Sequence, residues 1–457
     1  MRSNLLALCV LVLGGADSFA AAAPPEGLNR PALEILPERP ILLATHQRSL
    51  SPDRVALLQP PDPDGHHAAG TTLAELEGLA MDNNPTLVQA AMRVRAARHK
   101  CLQVGLYPNP VAGYSGDDIG DNGSAGKQGA FFSQEIVTAG KLRLNRAVVW
   151  QEVEQAQHAW ETQRRRVLND VRTGYYEVLL AQRTVELQER LVGIGEKSLR
   201  NSEQLLAAQE VSQVEVLQAR IEADSVRLQQ IQAQNQLRAA WRRLAATLGV
   251  ADLEAVKLTG SLEDDVPQLV WEEALGHLLA TSPEVERARA GVERARCQLA
   301  RECAGRMPDL RVEASVHYDS VTDDKLAGVQ FGVPLPLYNR NQGNIGNAQA
   351  ELVAAQKELE RVQLDLRHRL AAAFGRYASA AEQVTRYAGD ILPNAQKQLN
   401  LVTTGFQQGE LDYLTMLTAQ RSYFRANLAY LESLGQLWAN VVAIEGLLLT
   451  DSLASGR

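Results

Sequence analysis

Cysteine is scarce in this sequence, with four residues among 457. One of them, Cys9, lies within an apolar N-terminal segment, which leaves Cys101, Cys297 and Cys303 in the rest of the chain. Because three is an odd number, a complete set of intrachain disulfides is excluded. Cys297 and Cys303 could bind a metal together with Met307, but their spacing matches no recognised ligand pattern. We therefore predict three free cysteines on helices.

Long hydrophobic runs are also absent beyond the N-terminus, since no later run reaches the roughly 18 apolar residues that a membrane-spanning helix needs. The N-terminus has a basic residue, Arg2, then an apolar core at 5–13 and alanines at 20–23. This order predicts a signal peptide over residues 1–23, cleaved at the first of these alanines or a few residues later. Cys9 lacks the small preceding residue of a lipidated cysteine, so we interpret it as part of the signal.

Neither a strong positive charge nor an enzyme motif is present. The net charge is −8 and the pI is about 5.6, which gives no reason to expect binding to nucleic acid. The sequence has no glycine-rich phosphate loop after a strand, no His-Glu-x-x-His and no Gly-x-Ser-x-Gly. We predict that the protein is not an enzyme and holds no cofactor or resident metal. The scattered histidines show no ligand spacing: His99, His158, His277, His317 and His368.

Residues 24–70 are rich in proline and show no sustained hydrophobic period. This composition predicts an extended, partly disordered arm. The pair His66-His67 could bind a metal. In a loop of proline, aspartate and glycine, however, we interpret the two residues as solvated surface histidines.

A first structural unit is predicted over residues 71–260. A capping-box pattern at Thr72 and Glu75 marks the start of its first helix. Two strands are expected at about 109–118 and 127–137, on either side of a turn rich in glycine, aspartate and asparagine. The unit thus begins as a helix followed by a strand pair.

A long helical hairpin is predicted to complete this unit, over about 141–249. No proline occurs from Lys141 to the one at Pro267, and the period of the apolar residues is helical. The break between the two arms is predicted near 207–213. The second arm carries its apolar residues at Val214, Leu217, Ile221, Leu228 and Ile231.

A second unit, over residues 261–457, repeats this layout about 200 residues later. Its strands are expected at about 309–319 and 325–336, and its hairpin at about 341–450. The corresponding breaks are Asn84-Pro85 with Ser282-Pro283, and Tyr107-Pro108-Asn109 with Met307-Pro308-Asp309.

The strands of the second unit alternate between apolar and polar residues, which is the period of a strand with two different faces. Four such strands would expose their apolar face and both sheet edges if they stood alone. Closure with strands of other copies into a membrane β-barrel removes both problems. The alternative is a half-buried strand pair in a soluble sheet. Aromatic girdles of the barrel are expected at Tyr114, Phe131, Phe132, Tyr318, Phe331 and Tyr338, and the apolar residues of the last strand at Ala327, Val329, Phe331, Val333 and Leu335.

Two segments connect this pattern to a known family. They are 133–141, SQEIVTAGK, and 333–343, VPLPLYNRNQG. Together with the duplicated layout, they make the chain resemble the TolC-like outer membrane efflux proteins over nearly all of 72–450. The second segment is most similar to the cobalt–zinc–cadmium efflux branch.

This resemblance implies a mostly α-helical chain with a membrane β-barrel. Three copies would build a barrel of 12 strands, four from each chain, continued by a periplasmic α-helical tunnel. The arm at 24–70 would lie in the periplasm. The implied partners are the other two copies, outer membrane lipid, a periplasmic adaptor protein and an inner-membrane pump, for example of the resistance-nodulation-division type. Transport through such a trimer is passive.

The resemblance also implies two sets of functional residues at the hairpin ends. Some family members close the tunnel with an Asp pair on the last helix. Thr415 and Thr418 stand at those positions here, with Glu215 and Gln218 in the first unit, so these four are the candidates for the periplasmic aperture. The candidate adaptor-docking tips are Val211, Ser212 and Gln213 in the first turn and Gly409, Glu410, Leu411 and Asp412 in the second.

The function implied is the outer membrane channel of a tripartite efflux system, an exit duct for heavy-metal cations or other small toxic compounds. One alternative is a conduit of the same fold for drug or protein export. An alternative from another class is a soluble periplasmic coiled-coil scaffold or adaptor. That alternative explains the signal peptide and the helices but not the strand pairs.

Overall fold

The computed structural model describes residues 71–457 apart from 251, 252, 254, 264, 265, 409 and 455–457. The predicted signal peptide at 1–23 and the predicted arm at 24–70 lie outside the described residues. The same is true of Gly409, one of the candidate docking residues.

Helices form most of the described chain and follow the same order twice. Within the described residues, no helix is both long enough and apolar enough to cross a membrane. The first unit contains α1 (Leu73–Asn83), α2 (Pro85–Gln103), α3 (Lys141–Ala207) and α4 (Gln213–Leu248). The second contains α5 (Trp271–Thr281), α6 (Pro283–Ala304), α7 (Gln342–Arg386), α8 (Leu392–Gln407) and α9 (Tyr413–Glu445).

Capping residues set the starts of the first two helices. The predicted capping box is confirmed, because the backbone N–H of Thr72 donates to Glu75 Oε2 at 2.9 Å. The side chain of Asn84 accepts a hydrogen bond from the backbone of Thr86 at 3.0 Å and so caps α2. Pro85 occupies the first turn of α2, where its missing N–H costs nothing.

The outgoing arm of the second hairpin, which is predicted within about 341–450, is not one continuous helix. A π-helical turn spans Tyr387–Ile391, between α7 and α8. Pro393, two residues after this turn, supplies no backbone N–H to it, so the hydrogen-bond pattern shifts there. The corresponding arm of the first hairpin has no such proline, and α3 runs unbroken for 67 residues.

The four strands form one antiparallel sheet in the order β1-β2-β3-β4. The last strand ends at Gly332, four residues before the predicted end at 336. Gly332 already lies opposite Arg311 near the start of β3, and Pro334 and Pro336 cannot donate to a ladder. The strands are β1 (Val111–Asp117), β2 (Lys127–Ile136), β3 (Leu310–Asp319) and β4 (Asp324–Gly332).

The register of the sheet separates an apolar face from a polar face. Side chains of directly paired residues lie on the same face. The apolar face carries Ala112, Phe132, Ala314 and Val329 in one row and Tyr114, Ala130, Val316 and Ala327 in the next. The polar face carries Ser133, Glu313 and Gln330, and also Asp117, Lys127, Asp319 and Asp324.

One expected girdle residue lies on the wrong face for that role. Phe131 pairs with Gly113 and Ser315, in a row on the polar face. Phe131 and Phe132 are neighbours in one strand, so their side chains must point to opposite faces. The ring of Phe131 lies over Gly113, where a Cβ atom would approach it to 2.6 Å. Of these two phenylalanines, Phe132 is the one on the apolar face.

The two units are packed together where the middle of α3 meets the C-terminal part of α9. Trp438 of α9 stacks on Tyr176 of α3, with 4.1 Å between ring centroids. Its indole Nε1 donates to the carbonyl of Leu262 at 2.8 Å. Tyr175 donates to the carbonyl of Thr259. These contacts fix the segment between the units against the helices of both.

Candidate functional site

The turn between α3 and α4 forms the end of the first hairpin. Gln209 adopts a left-handed backbone conformation with φ of 60°, a conformation usually taken by glycine. Ser212 is the N-cap of α4, and its hydroxyl accepts from the backbone N–H of Glu215 at 3.4 Å. Of the predicted docking residues in this turn, Val211 is half-buried while Ser212 and Gln213 are exposed.

The turn between α8 and α9 forms the end of the second hairpin. The backbone N–H groups of Glu410 and Leu411 donate to the carbonyl of Gly405, at 2.9 and 3.3 Å. The hydroxyl of Thr415 donates to the carboxylate of Asp412, and this hydrogen bond holds the pKa of Asp412 below its ordinary value. Glu410, Leu411 and Asp412 are all exposed.

A small apolar core joins the two hairpin ends. Ala219 of α4 is buried against Tyr413, Met416 and Leu417 of α9. Leu199, Val402 and Phe406 pack around it. The structure therefore brings the two predicted docking turns to the same end of the molecule, although about 200 residues separate them in the chain.

The candidate aperture residues lie just inside these turns. Thr415 and Thr418 are exposed on α9, and the Thr418 hydroxyl donates to the carbonyl of Leu414 at 2.8 Å. Gln218 is exposed on α4, and Glu215 is half-buried. Leu417, which stands between the two threonines in sequence, is buried in the core of the hairpin ends.

An ion pair that sequence reasoning missed connects the hairpins one to two turns further along the helices. The guanidinium of Arg421 donates to Glu222 Oε2 from Nη2 at 2.7 Å and from Nε at 3.1 Å. In the sequence, Arg421 only interrupts the helical period of the apolar residues, and nothing local marks it as half of an ion pair. The sequence contains one indication of this pair: Glu222 stands on α4 at nearly the position that Arg421 has on α9, and the two carry opposite charges.

Removing this pair should loosen the hairpin ends. The Glu222 side chain is 14% exposed, so Arg421→Ala leaves a largely buried carboxylate without its partner. Because Arg421 itself is 55% exposed and screened, the expected loss is only about 1 kcal/mol. Hydrogen exchange of the amides in the first turns of α4 and α9 should quicken in Arg421→Ala. The reversed pair Glu222→Arg with Arg421→Glu should restore slow exchange, and no recovery would contradict a direct pairing.

The second arms of the two hairpins, α4 and α9, each carry an exposed stripe of side chains, and the two stripes differ in polarity. In α4 an apolar stripe lies opposite the helix face that is buried in the same copy. In α9 the exposed stripe is polar except for Leu414 near its start, which is 60% exposed. The apolar stripe contains Val214, Leu217, Ile221, Leu228 and Ile231, and the polar one Thr415, Thr418, Ser422, Arg425, Glu432 and Gln436.

A duplicated chain with a two-faced four-stranded sheet and two long hairpins is the architecture of outer membrane channels. The structure of CusC superposes with a TM-score of 0.71 at 19% identity, covering 83% of this chain and 92% of that one. VceC of Vibrio cholerae superposes with a TM-score of 0.67 at 19% identity, covering 83% and 96%. These likenesses establish the fold.

The chain belongs to the outer membrane efflux protein family, whose model matches residues 76–250 and 274–448. It is 29% identical to the cobalt-zinc-cadmium resistance protein CzcC of Cupriavidus metallidurans over 388 residues, covering 83% of this chain and 91% of that protein. It is 24% identical to the toluene efflux pump outer membrane protein TtgF of Pseudomonas putida, covering 82% of each.

The protein is therefore an outer membrane channel component of an efflux system, with a helical part that extends into the periplasm. Proteins of this family are trimeric channels that work with adaptors and inner-membrane pumps. The family and the fold neighbours are channels and not enzymes. In the described part of the chain, no three His, Cys, Asp or Glu side chains are grouped as metal ligands.

Proposed function

We propose that three copies of this chain form a passive exit duct for divalent heavy-metal cations. The observation that carries the three-copy duct is the sheet, whose apolar and polar side chains lie on separate faces. In one copy the apolar face of the sheet is exposed to solvent. The outer strands β1 and β4 each have one edge that pairs with no strand in the described part of the same copy. Pairing β4 of one copy with β1 of the next satisfies both edges and turns the polar face inward.

The helical stripes support the same assembly. The apolar stripe on α4 is suited to packing against helices of a neighbouring copy, because contiguous apolar surface of this kind usually marks an interface and not a solvent-facing surface. The polar stripe on α9 is suited to a water-filled interior. Thr415 and Thr418 lie at the end of that stripe, which supports their assignment to the periplasmic aperture together with Glu215 and Gln218.

The two hairpin turns are the proposed adaptor-docking tips. Residues 211–213 and 410–412 lie at one end of the molecule, away from the sheet. Most of their side chains are exposed. The adaptor and the inner-membrane pump that it connects to would supply both substrate selection and energy.

The similarity to CzcC over most of both chains supports metal cations as the cargo. In a strain that lacks this gene, tolerance to Co²⁺, Zn²⁺ and Cd²⁺ should fall several-fold and return on complementation. Toluene tolerance should stay unchanged. Loss of toluene tolerance with normal metal tolerance would instead favour the solvent-efflux function named for TtgF.

Glu215 is proposed to form a carboxylate ring at the aperture, one residue from each copy. Three carboxylates at a narrow opening would attract and retain divalent cations. Glu215→Ala should therefore weaken block by Co²⁺ in single-channel recordings. Glu210→Ala, which removes an exposed carboxylate from the adjacent turn, is the matched control and should leave block unchanged. Unaltered conductance and unaltered block in Glu215→Ala would refute the ring.

A further inference from the structure

A polar clasp joins the end of β2 to the start of β3. The backbone N–H of Thr138 donates to Asp309 Oδ1 at 2.7 Å, and its hydroxyl donates to the carbonyl of Pro308 at 2.6 Å. Lys141, the first residue of α3, pairs with Asp309 Oδ2 at 2.9 Å. The clasp fixes the point at which the sheet passes into the long helices.

The clasp is partly shielded from solvent, since the side chains of Lys141 and Asp309 are 15% and 25% exposed. Burial alone would raise the pKa of Asp309. The hydrogen bonds from Thr138 and the charge of Lys141 outweigh burial and hold that pKa below its ordinary value. The carboxylate is thus stabilised by its partners.

The internal repeat provides a second set of residues for the same arrangement. Asn109 corresponds to Asp309, since each follows a proline just before the first strand of its unit. Asn341 corresponds to Gly140, because both precede a long helix in the left-handed conformation, with φ of 60° and 65°. Two residues before Asn341, Asn339 takes the place that Thr138 has before Gly140.

These equivalent residues cannot meet within one copy. Asn109 precedes β1 and Asn339 follows β4, at opposite edges of the sheet. With strands about 4.8 Å apart, the two edges are separated by roughly 14 Å. Strand β4 can lie beside β1 only when the two strands belong to different copies.

Both edges also expose apolar side chains where the clasp would form. Tyr338 is 92% exposed, although the segment around it is anchored by Asn341, which donates to Glu302. On the other edge Tyr107 is 67% exposed. The neighbouring exposed residues are Leu335 and Leu337 on the first edge and Leu102 and Leu106 on the second.

We propose that residues 333–341 of one copy pack on residues 106–109 of the next, with Asn339 and Asn109 in the places of Thr138 and Asp309. This interface rests on the trimer of the proposed function. Gln342 replaces Lys141 and Asn109 replaces Asp309, so the charged pair of the clasp within a copy has neutral counterparts in the clasp between copies. Amide side chains can both donate and accept, and the exposed leucines and tyrosines supply apolar contact.

Paired cysteines test this interface in the full-length protein. In a background where Cys101, Cys297 and Cys303 are serine, Asn109→Cys with Asn339→Cys should form covalent dimers and trimers on mild oxidation. Each single variant should stay monomeric on denaturing gels. The control pair, Thr138→Cys with Asp309→Cys, should cross-link within one chain and produce no covalent dimers or trimers.

The native mass of each variant separates the possible failures. A trimeric native mass without covalent dimers and trimers after oxidation would overturn the proposed interface but not the proposed trimer. A monomeric mass of the cysteine-free parent would overturn both. A second measurement is maleimide labelling of Tyr338→Cys, which should be several-fold slower in the trimer than labelling of Val321→Cys in an exposed loop. Equal labelling rates would also overturn the interface.

Discussion

Replacing Val316 with arginine is expected to remove the protein from the outer membrane. Val316 lies in the middle of β3, between Ala130 and Ala327 on the apolar face, and is 61% exposed in one copy. On the lipid side of a barrel, an arginine near the bilayer midplane costs about 2–4 kcal/mol. The cost is incurred once in each copy, so assembly should fail and metal tolerance should fall to that of the deletion strain.

Ser315→Arg is the matched control because Ser315 is the adjacent residue and lies on the polar face, in the row of Phe131 and Gly328. This variant should reach the outer membrane in normal amounts, since its side chain projects toward water. Immunoblots of the outer membrane fraction measure both variants. Equal amounts of the two variants would contradict the assignment of the faces.

Replacing Asn169 with alanine is expected to cause the largest loss of folding stability. Asn169 of α3 is 2% exposed, and its Nδ2 donates to the carbonyls of Gly446 and Leu449, each at 2.7 Å. The substitution leaves the buried carbonyl of Leu449 without this donor and leaves the Gly446 carbonyl with only the backbone N–H of Leu449, at 3.3 Å. The expected cost is about 2–4 kcal/mol. Thermal unfolding in detergent measures the loss. Asn400→Ala, at an exposed position on α8, should change stability by less than about 0.5 kcal/mol.

Gly446 provides an independent check of the same contact. A Cβ atom at Gly446 would lie 2.2 Å from Asn169 Nδ2, so Gly446→Ala alone should also destabilise the protein. Alanine at Asn169 vacates that space. The double variant should therefore lose less stability than the two single losses added together. Strict additivity would show that the two residues do not interact as described.

The sequence periodicity was sufficient for the type and the approximate limits of the long elements. Strand alternation at Leu310–Asp319 placed Val312, Ala314 and Val316 together, and the sheet register confirms that they share a face with Val329 and Phe331. Local rules were less reliable at element ends. The end of β4 depended on where β3 begins, and the π turn before Pro393 depended on one missing N–H in an otherwise helical pattern.

Long-range polar contacts could not be read from the sequence. Asn169 and Gly446 are 277 residues apart, and neither has a distinctive local pattern. Glu222 and Arg421 are 199 residues apart and resemble ordinary surface charges until the two hairpins are packed together. The prediction that Phe131 belongs to an aromatic girdle together with Phe132 was wrong, because neighbouring residues of a strand point to opposite faces. The candidate tip and aperture residues are indicated only by the family resemblance, because their local sequence has no pattern that marks such a role.

The trimeric membrane barrel is tested most directly by the native mass of the protein extracted in detergent from an outer membrane fraction. We expect a mass three times that of the processed chain, released only when detergent is present. A monomer or dimer released without detergent would contradict it. In that case the two-faced sheet would be buried in a soluble assembly, and the periplasmic scaffold would be the better description.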